Sequence, residues 1–233
     1  MSRPVIVVRP EPGCAATVAA GRAQGLDMRA FPLFEVHPRS WQLPPDDSFD
    51  ALLLGSANAV RHSGDALTSL RGKRAYAVGE ATAEAARGAG LEVAGTGHGG
   101  LQSVLDTLRG PLRLLRLAGE DHVPLKLLPG ITIDTRIVYT VEPRPLPPEL
   151  ADTLRNRAVV MLHSASAARH FAAECDRLGV SRARVAVAAL GPRIADAAGG
   201  GWRVLRSAQI PDERALLALA GDLCHASDEA KER

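Results

Sequence analysis

The sequence has little net charge, few aromatic residues and only three cysteines. The low charge and the few cysteines argue against several classes of protein. Lys and Arg number 28 against 26 Asp and Glu, so the concentrated positive charge that duplex nucleic acid demands is missing. The cysteines, Cys14, Cys175 and Cys224, are scattered and lack CxxC spacing, which fits neither a disulfide framework nor a structural zinc site. We expect no nucleic-acid partner and ordinary thiols in a reducing cytoplasm.

Membrane segments and local metal sites are also missing from the sequence. No apolar run approaches membrane length, and the first ten residues predict a strand rather than a signal peptide. The 7 histidines include no helical i, i+4 pair and no H-x-H, and no G-x-S-x-G elbow is present. We therefore expect a cytoplasmic protein without a metal site and without hydrolase chemistry. We also expect a monomer.

What the sequence does contain is a motif that occurs twice. Residues 56–62 and 164–170 share the pattern Ser-Ala-x-Ala-x-Arg-His, each following an apolar run. Residues 77–86 and 189–198 also resemble each other, and Leu-Pro-Pro occurs in both linkers. Matches between alanines are weak evidence in an Ala-rich α/β chain, but the serines, glycines and linkers recur in the same order. We infer an internal duplication.

The order of elements predicts an α/β protein with two similar parallel-sheet domains, helices on both faces of each sheet and a two-stranded linker. Short apolar runs at residues 5–8, 51–54 and 74–78 alternate with Ala-rich helices. The order restarts at Leu112, where Arg116 is expected to correspond to Arg9. Other predicted elements are long strands at 28–36 and 131–141 and a helix that includes 125–128.

Serine, glycine and threonine stand where predicted strands end and helices begin, an edge at which open α/β sheets bind ligands. Ser56 and Ser164 are either plain helix N-caps or ligand contacts. Gly79 and Gly191 either make tight turns or let a ligand approach the backbone. Thr82, in the first turn of its helix, is likewise a cap or a contact. Two such edges turned toward one another would form a cleft.

Two further residues are candidates for chemistry. Arg193 is a cation at a helix start, where the helix dipole disfavours it, and this placement points to anion binding. Tyr139 closes a long predicted strand, where it is either an interface aromatic with a solvated hydroxyl or a proton donor.

A formal G-x-G-x-x-G pattern spans residues 95–100 between a strand and a helix. It opens the last βα unit of its half rather than the first, where dinucleotide-binding folds carry it. We expect a flexible loop here, with nucleotide binding as the alternative.

With these residues in place, the chain resembles the uroporphyrinogen-III synthase family over nearly its whole length. The opening Val8-Arg9-Pro10 and the run through Ser56 carry part of the resemblance. The rest is carried by the turn from Gly79 to Thr82, by Val138-Tyr139 and by Gly191-Pro192.

The resemblance implies two α/β domains, one inserted in the other, joined by a pair of extended strands. One domain would comprise 1–36 plus 143–233 and the other 38–141, with crossing strands at 28–36 and 131–141. It also implies cofactor-free cyclisation of hydroxymethylbilane to uroporphyrinogen III, with loss of water and inversion of ring D.

The resemblance implies roles for the candidate residues as well. Tyr139 matches the family's tyrosine position and would donate the proton to the departing hydroxyl. Thr82 matches a binding threonine, and Ser56, Gly79 and Arg9 would contact a substrate that carries eight carboxylates.

In the other copy, Ser164, Gly191 and Arg193 would bind the same substrate. The family often carries a threonine after its second Gly-Pro, whereas this chain has Arg193 and Ile194. A two-lobed, non-catalytic protein that closes on a small anion is the alternative of a different class.

Overall fold

The structure, a computed structural model, describes residues 3–225. Its strands are β1 (Val5–Val7), β2 (Met28–Ala30), β3 (Phe34–Pro38), β4 (Ala51–Leu54), β5 (Arg74–Val78), β6 (Glu92–Gly97), β7 (Leu112–Gly119), β8 (Ile131–Pro143), β9 (Val159–Leu162), β10 (Ala186–Ala189) and β11 (Val204–Ser207). Its α-helices are α1 (Gly13–Arg22), α2 (Ala57–Arg61), α3 (Glu80–Gly88), α4 (Leu101–Thr107), α5 (Pro148–Arg155), α6 (Ala165–Arg177), α7 (Pro192–Ala198) and α8 (Glu213–His225). Short 3₁₀ helices lie at Asp46–Ser48, Gly64–Leu70 and Arg182–Arg184.

The chain divides into two compact units: unit 1 comprises Met1–Glu35 and Pro143–Arg233, and unit 2 comprises Val36–Glu142. Unit 1 holds a five-stranded parallel sheet in the order β11-β10-β9-β1-β2. On one face, side chains of β1 and β9 such as Val5 and Met161 pack against α1 and α8. Helices α6 and α7 contact the same sheet. Because both faces are covered, the central strands β1, β9 and β10 are runs of buried apolar residues without polar alternation.

Unit 2 is built in the same way around a six-stranded sheet in the order β3-β8-β7-β4-β5-β6. Strands β8 to β6 run parallel to their neighbours. One apolar cluster joins β4 and β7 to α2 and α3, and a second joins the opposite face to α4. The predicted α/β class, with parallel sheets covered by helices, is confirmed.

The two sheets have the same strand order once the repeated motifs are matched. In unit 1 the order β2-β1-β9-β10-β11 places the strand before Ser164 beside β1, and in unit 2 the order β8-β7-β4-β5-β6 places the strand before Ser56 beside β7. Each sheet therefore combines the opening strands of one repeat with the later strands of the other.

Several elements differ from the sequence predictions. The strand predicted at 28–36 is two strands, β2 in the unit 1 sheet and β3 at the edge of the unit 2 sheet. Pro32, which lacks a backbone N–H, lies between them. No helix forms at 125–128, because Pro124 and Pro129 bracket a segment too short for one. The second Leu-Pro-Pro linker leads into α5, which was not predicted and begins with a proline at its first position.

The first half of the loop predicted for residues 95–100 is strand, and the rest, residues 98–100, is irregular. Gly95 and Gly97 belong to β6, and a Cβ on Gly97 would stand 2.6 Å from Cγ2 of Val104 in α4. Close helix packing against the strand therefore accounts for this glycine. No helix between residues 3 and 225 is both long and apolar enough to span a membrane.

Candidate functional site

Ser56 and Ser164 both act as helix N-caps. The Ser56 hydroxyl accepts a hydrogen bond from the Asn58 N–H at 3.2 Å, and the Ser164 hydroxyl accepts one from the Ala167 N–H at 3.1 Å. Each has an extended backbone and follows the carboxyl end of a buried strand. The capping role of the two alternatives is therefore present in both copies.

The turn after β5 presents a glycine and a hydroxyl. Gly79 has φ of 74°, a left-handed value that favours glycine, and it begins α3. Thr82, in the first turn of α3, is only 5% exposed. Its backbone N–H donates to the Gly79 carbonyl at 3.2 Å, while its hydroxyl bonds to no other described residue. The hydroxyl is thus left for a ligand or for water.

Tyr139 of β8 lies across the end of β7. A Cβ on Gly119 would stand 2.7 Å from Cε2 and Cζ of the ring and 2.9 Å from Oη, so the phenol covers this glycine. The His62 ring is 6.2 Å from the Tyr139 ring between centroids. Within residues 3–225 the phenol hydroxyl has no hydrogen-bond partner. It is therefore free to donate to a bound molecule.

His62, beside the phenol, is electrostatically biased toward its neutral form. Burial lowers the pKa of His62, and the charges of Arg61 and His37 lower it further. At neutral pH the group next to Tyr139 is accordingly an uncharged imidazole.

The strand order brings these unit 2 residues to one edge of the sheet. Tyr139 lies in β8, Ser56 follows β4 and Gly79 follows β5, with β7 between β8 and β4. Neighbouring strands are about 4.8 Å apart, so the edge from Tyr139 to Gly79 spans about 14 Å. This width suits an extended ligand held at several points.

In unit 1 the corresponding edge is occupied by an internal ion-pair network. Arg9 Nη1 donates to Glu213 Oε2 at 3.2 Å and to Thr17 Oγ1 at 3.4 Å. The Thr17 hydroxyl donates to the other carboxylate oxygen at 2.5 Å, and His163 Nε2 is 3.3 Å from Glu213. Burial raises the pKa of Glu213, but His163, Thr17 and Arg9 outweigh it and hold that pKa at about 2. Arg9, predicted to bind substrate, is thus paired within the chain.

Gly191 and Arg193 stand at the start of α7 in unit 1. Gly191 has an extended backbone with φ of −168°, and a Cβ there would meet no atom within 4 Å. Neither conformation nor packing therefore requires glycine at this position, in contrast to Gly79. Arg193 is exposed and has no partner among residues 3–225.

Two features of these edges escaped the sequence analysis. The network of Thr17, His163 and Glu213 joins residues too far apart in the chain to be paired by pattern. Arg116 is 5% exposed in β7, and its position inside the run Leu112-Arg-Leu-Leu-Arg-Leu117 was a signal, because a buried strand seldom carries a cation. Between residues 3 and 225, no group of three His, Cys, Asp or Glu side chains could hold a metal ion.

A family model and solved structures of known proteins match this chain. The family model described as uroporphyrinogen-III synthase HemD matches residues 15–218. The structure of uroporphyrinogen-III synthetase from Helicobacter pylori shares 19% identity, with 95% of this chain and 99% of that chain covered and a TM-score of 0.62. A mutant uroporphyrinogen III synthase from the extremely thermophilic bacterium Thermus thermophilus shares 18% identity, with coverage of 93% and 96% and a TM-score of 0.53.

At these identities the two structures establish a shared fold, whereas the family model establishes membership. No curated protein matches the chain. The resemblance found in the sequence is confirmed: the chain belongs to the uroporphyrinogen-III synthase family, cyclising lyases of haem biosynthesis.

Proposed function

We propose that this chain closes hydroxymethylbilane to uroporphyrinogen III without a cofactor, and that the phenol of Tyr139 is the proton donor. The observation that best supports this role is the free hydroxyl of Tyr139 at the carboxyl edge of the unit 2 sheet, where no residue between 3 and 225 bonds to it. A phenol held in place by packing and not by a hydrogen bond can donate to a substrate oxygen.

In the proposed reaction the phenol gives its proton to the terminal hydroxyl of the bilane. The carbon–oxygen bond then breaks and water leaves, which generates an electrophilic carbon. The substituted carbon of ring D attacks this carbon to give a spiro intermediate, which fragments and closes again through the unsubstituted α-carbon of ring D, so that ring D is inverted. The proton that this carbon loses on closure restores the phenol. Because the pyrrole supplies the nucleophile, the main task of the protein is to hold the bilane in the reactive fold.

The remaining candidate residues are proposed to hold the substrate. In unit 2, the Thr82 hydroxyl and the turns at Ser56 and Gly79 would contact carboxylates, supported by their place at the edge that also carries Tyr139.

In unit 1 the proposed contacts are Ser164, Gly191, Arg193 and Arg9. Arg193, which has no partner in the described part of the chain, and the open space above Gly191 support the proposal. For Arg9, a substrate carboxylate must compete with Glu213, which already accepts from its guanidinium.

The proposed setting is a cytoplasmic monomer with hydroxymethylbilane as its partner, and with no nucleic-acid or membrane partner. Free, buried thiols at Cys14, Cys175 and Cys224 support a reducing compartment. Among the described residues, only three large apolar side chains are exposed: Val123, Leu127 and Ile210. Because a stable subunit interface usually needs a larger apolar patch, this supports a monomer.

The test is turnover by the purified protein. Hydroxymethylbilane closes spontaneously to the type I isomer, so the assay separates type III from type I product. We expect predominantly type III product and a strong loss of kcat in Tyr139→Phe. Tyr76→Phe is the matched control, since Tyr76 is the other tyrosine, lies in the same unit and has a hydroxyl bonded to Arg74. Type I product at the spontaneous rate would refute the function, and full kcat in Tyr139→Phe would refute the role of the phenol.

A further inference from the structure

A core position of the unit 2 sheet carries an arginine. Arg116 lies opposite Leu53 across the β7–β4 ladder, and in unit 1 Val7 lies opposite Met161 across the β1–β9 ladder. Leu53 and Met161 each stand three residues before the capping serine, so Arg116 corresponds to Val7 and not, as predicted, to Arg9. Val7 is fully buried. The same site therefore holds an apolar side chain in one sheet and a cation in the other.

Arg116 has no partner for its charge among residues 3–225. It makes no hydrogen bond or ion pair there, and its Nε is sealed from solvent. Burial lowers the pKa of Arg116, because removing the cation from water is unfavourable. An arginine nevertheless stays protonated, so the cost of desolvation persists unless an anion approaches.

Arg113, in the same strand, is an arginine whose charge is paired within the chain, and it serves as a comparison for Arg116. Its guanidinium donates to Oδ1 of Asp50 at 2.8 Å and to the Asp47 carbonyl at 2.6 Å, and half of the side chain is exposed. Arg116 has less contact with water than Arg113 and none of these acceptors. The missing acceptor for Arg116 must therefore come from water or from a ligand.

The surroundings of Arg116 favour a ligand. Its strand ends at Gly119, which Tyr139 covers, and the Tyr139 oxygen is near enough to interact electrostatically with the guanidinium. Only Nε is sealed, so the two terminal nitrogens remain open to a bound group. Those nitrogens, and a phenol that has no hydrogen-bond partner among residues 3–225, are donors matched to the oxygens of a carboxylate.

We propose that Arg116 binds a carboxylate of the bilane and so positions the substrate against Tyr139. This proposal rests on the proposed function, because it takes the bilane as the ligand. Arginine suits the task, since its planar fork binds a carboxylate through two parallel hydrogen bonds.

The test compares Arg116→Met and Arg116→Lys with the control Arg113→Met, using thermal unfolding and steady-state turnover of hydroxymethylbilane. Methionine fills similar space without charge, so we expect Arg116→Met to be at least as stable as the wild type. A hydrogen bond to a charged group is worth about 1.5–3 kcal/mol, so KM should rise by roughly 10- to 150-fold in Arg116→Met, with a smaller effect on kcat. Arg116→Lys should recover part of the affinity, and Arg113→Met should leave KM unchanged.

An unchanged KM in Arg116→Met, with the wild type producing uroporphyrinogen III, would overturn the role of Arg116 and leave the proposed function intact. A wild type that makes no type III product would instead remove the proposed function itself. If Arg116→Met does not fold, Arg116→Lys decides: a raised KM at normal stability supports the carboxylate contact, and a normal KM contradicts it.

Discussion

Gly119→Ala should move the phenol of Tyr139 without removing it. The new Cβ would stand 2.7 Å from Cε2 and Cζ of the ring, whereas ordinary van der Waals contact begins at 3.4 Å. The ring must therefore withdraw by about 0.7 Å, because neither atom can interpenetrate the other. A misplacement of about 1 Å at a reacting group can cost on the order of 10²-fold in rate. We expect kcat to fall by roughly 10- to 100-fold.

The assay is anaerobic turnover of hydroxymethylbilane with separation of the type III and type I products. Gly97→Ala is the matched control, because its Cβ would stand 2.6 Å from Val104 and create a similar clash in the same unit away from the phenol. That variant should unfold at a lower temperature yet keep its kcat. Gly119→Ala combined with Tyr139→Phe should be little worse than Tyr139→Phe alone, since both changes act on one phenol. Wild-type kcat in Gly119→Ala would show that the position of Tyr139 does not govern the reaction.

Three further predictions concern stability. In Glu174, the hydrogen bond from Arg177 is the main cause of a pKa of about 2, so its contribution to stability is complete above about pH 4.5 and is lost as the pH falls toward 2. Urea unfolding should accordingly show Glu174→Gln to be less stable than the wild type at pH 6, with a smaller difference at pH 3; an equal difference would contradict this. Gly79→Ala places alanine at φ of 74° and ψ of 154°, a backbone region essentially restricted to glycine, and should cost about 1–3 kcal/mol in the free energy of unfolding. Gly191→Ala should change the free energy of unfolding by no more than about 0.5 kcal/mol, because a Cβ there meets no atom within 4 Å, while KM rises. A large loss of stability would contradict the absence of a steric clash at this position.

Much of the fold could be predicted from periodicity, because buried parallel strands are short apolar runs with turns at both ends. The bounds predicted for β4 and β5 agree with the structure, and α5 was missed since its start lies in a proline-rich linker. The split of residues 28–36 into β2 and β3 could not be predicted by pattern alone. β2 pairs with β1 nearby in the sequence, whereas β3 joins the other sheet beside β8, about a hundred residues away.

The candidate site could be predicted only in part. Ser56, Gly79 and Thr82 could be predicted as site candidates from their place after strand ends, because serine, glycine and threonine have recognisable preferences at helix starts. Whether a cation is paired, however, depends on contacts between distant segments. Arg9 is paired with Glu213, whereas Arg116 makes no hydrogen bond or ion pair in the described chain. The sequence pointed to Arg9 as the substrate contact, but the structure makes Arg116 the better candidate.

The shared strand order has an implication for the ancestry of the chain. A single repeat contains β1 to β6 or β7 to β11, and in either case its strands are divided between the two sheets. A half-length ancestor would contain all five strand positions of the shared order, and two identical copies that exchanged their opening strands would form an intertwined homodimer with the strand pairing seen here. Fusion of two such genes end to end would make the exchange permanent within one polypeptide. Once covalently joined, the halves were free to diverge, and a valine in one could become an arginine in the other without altering both sheets at once.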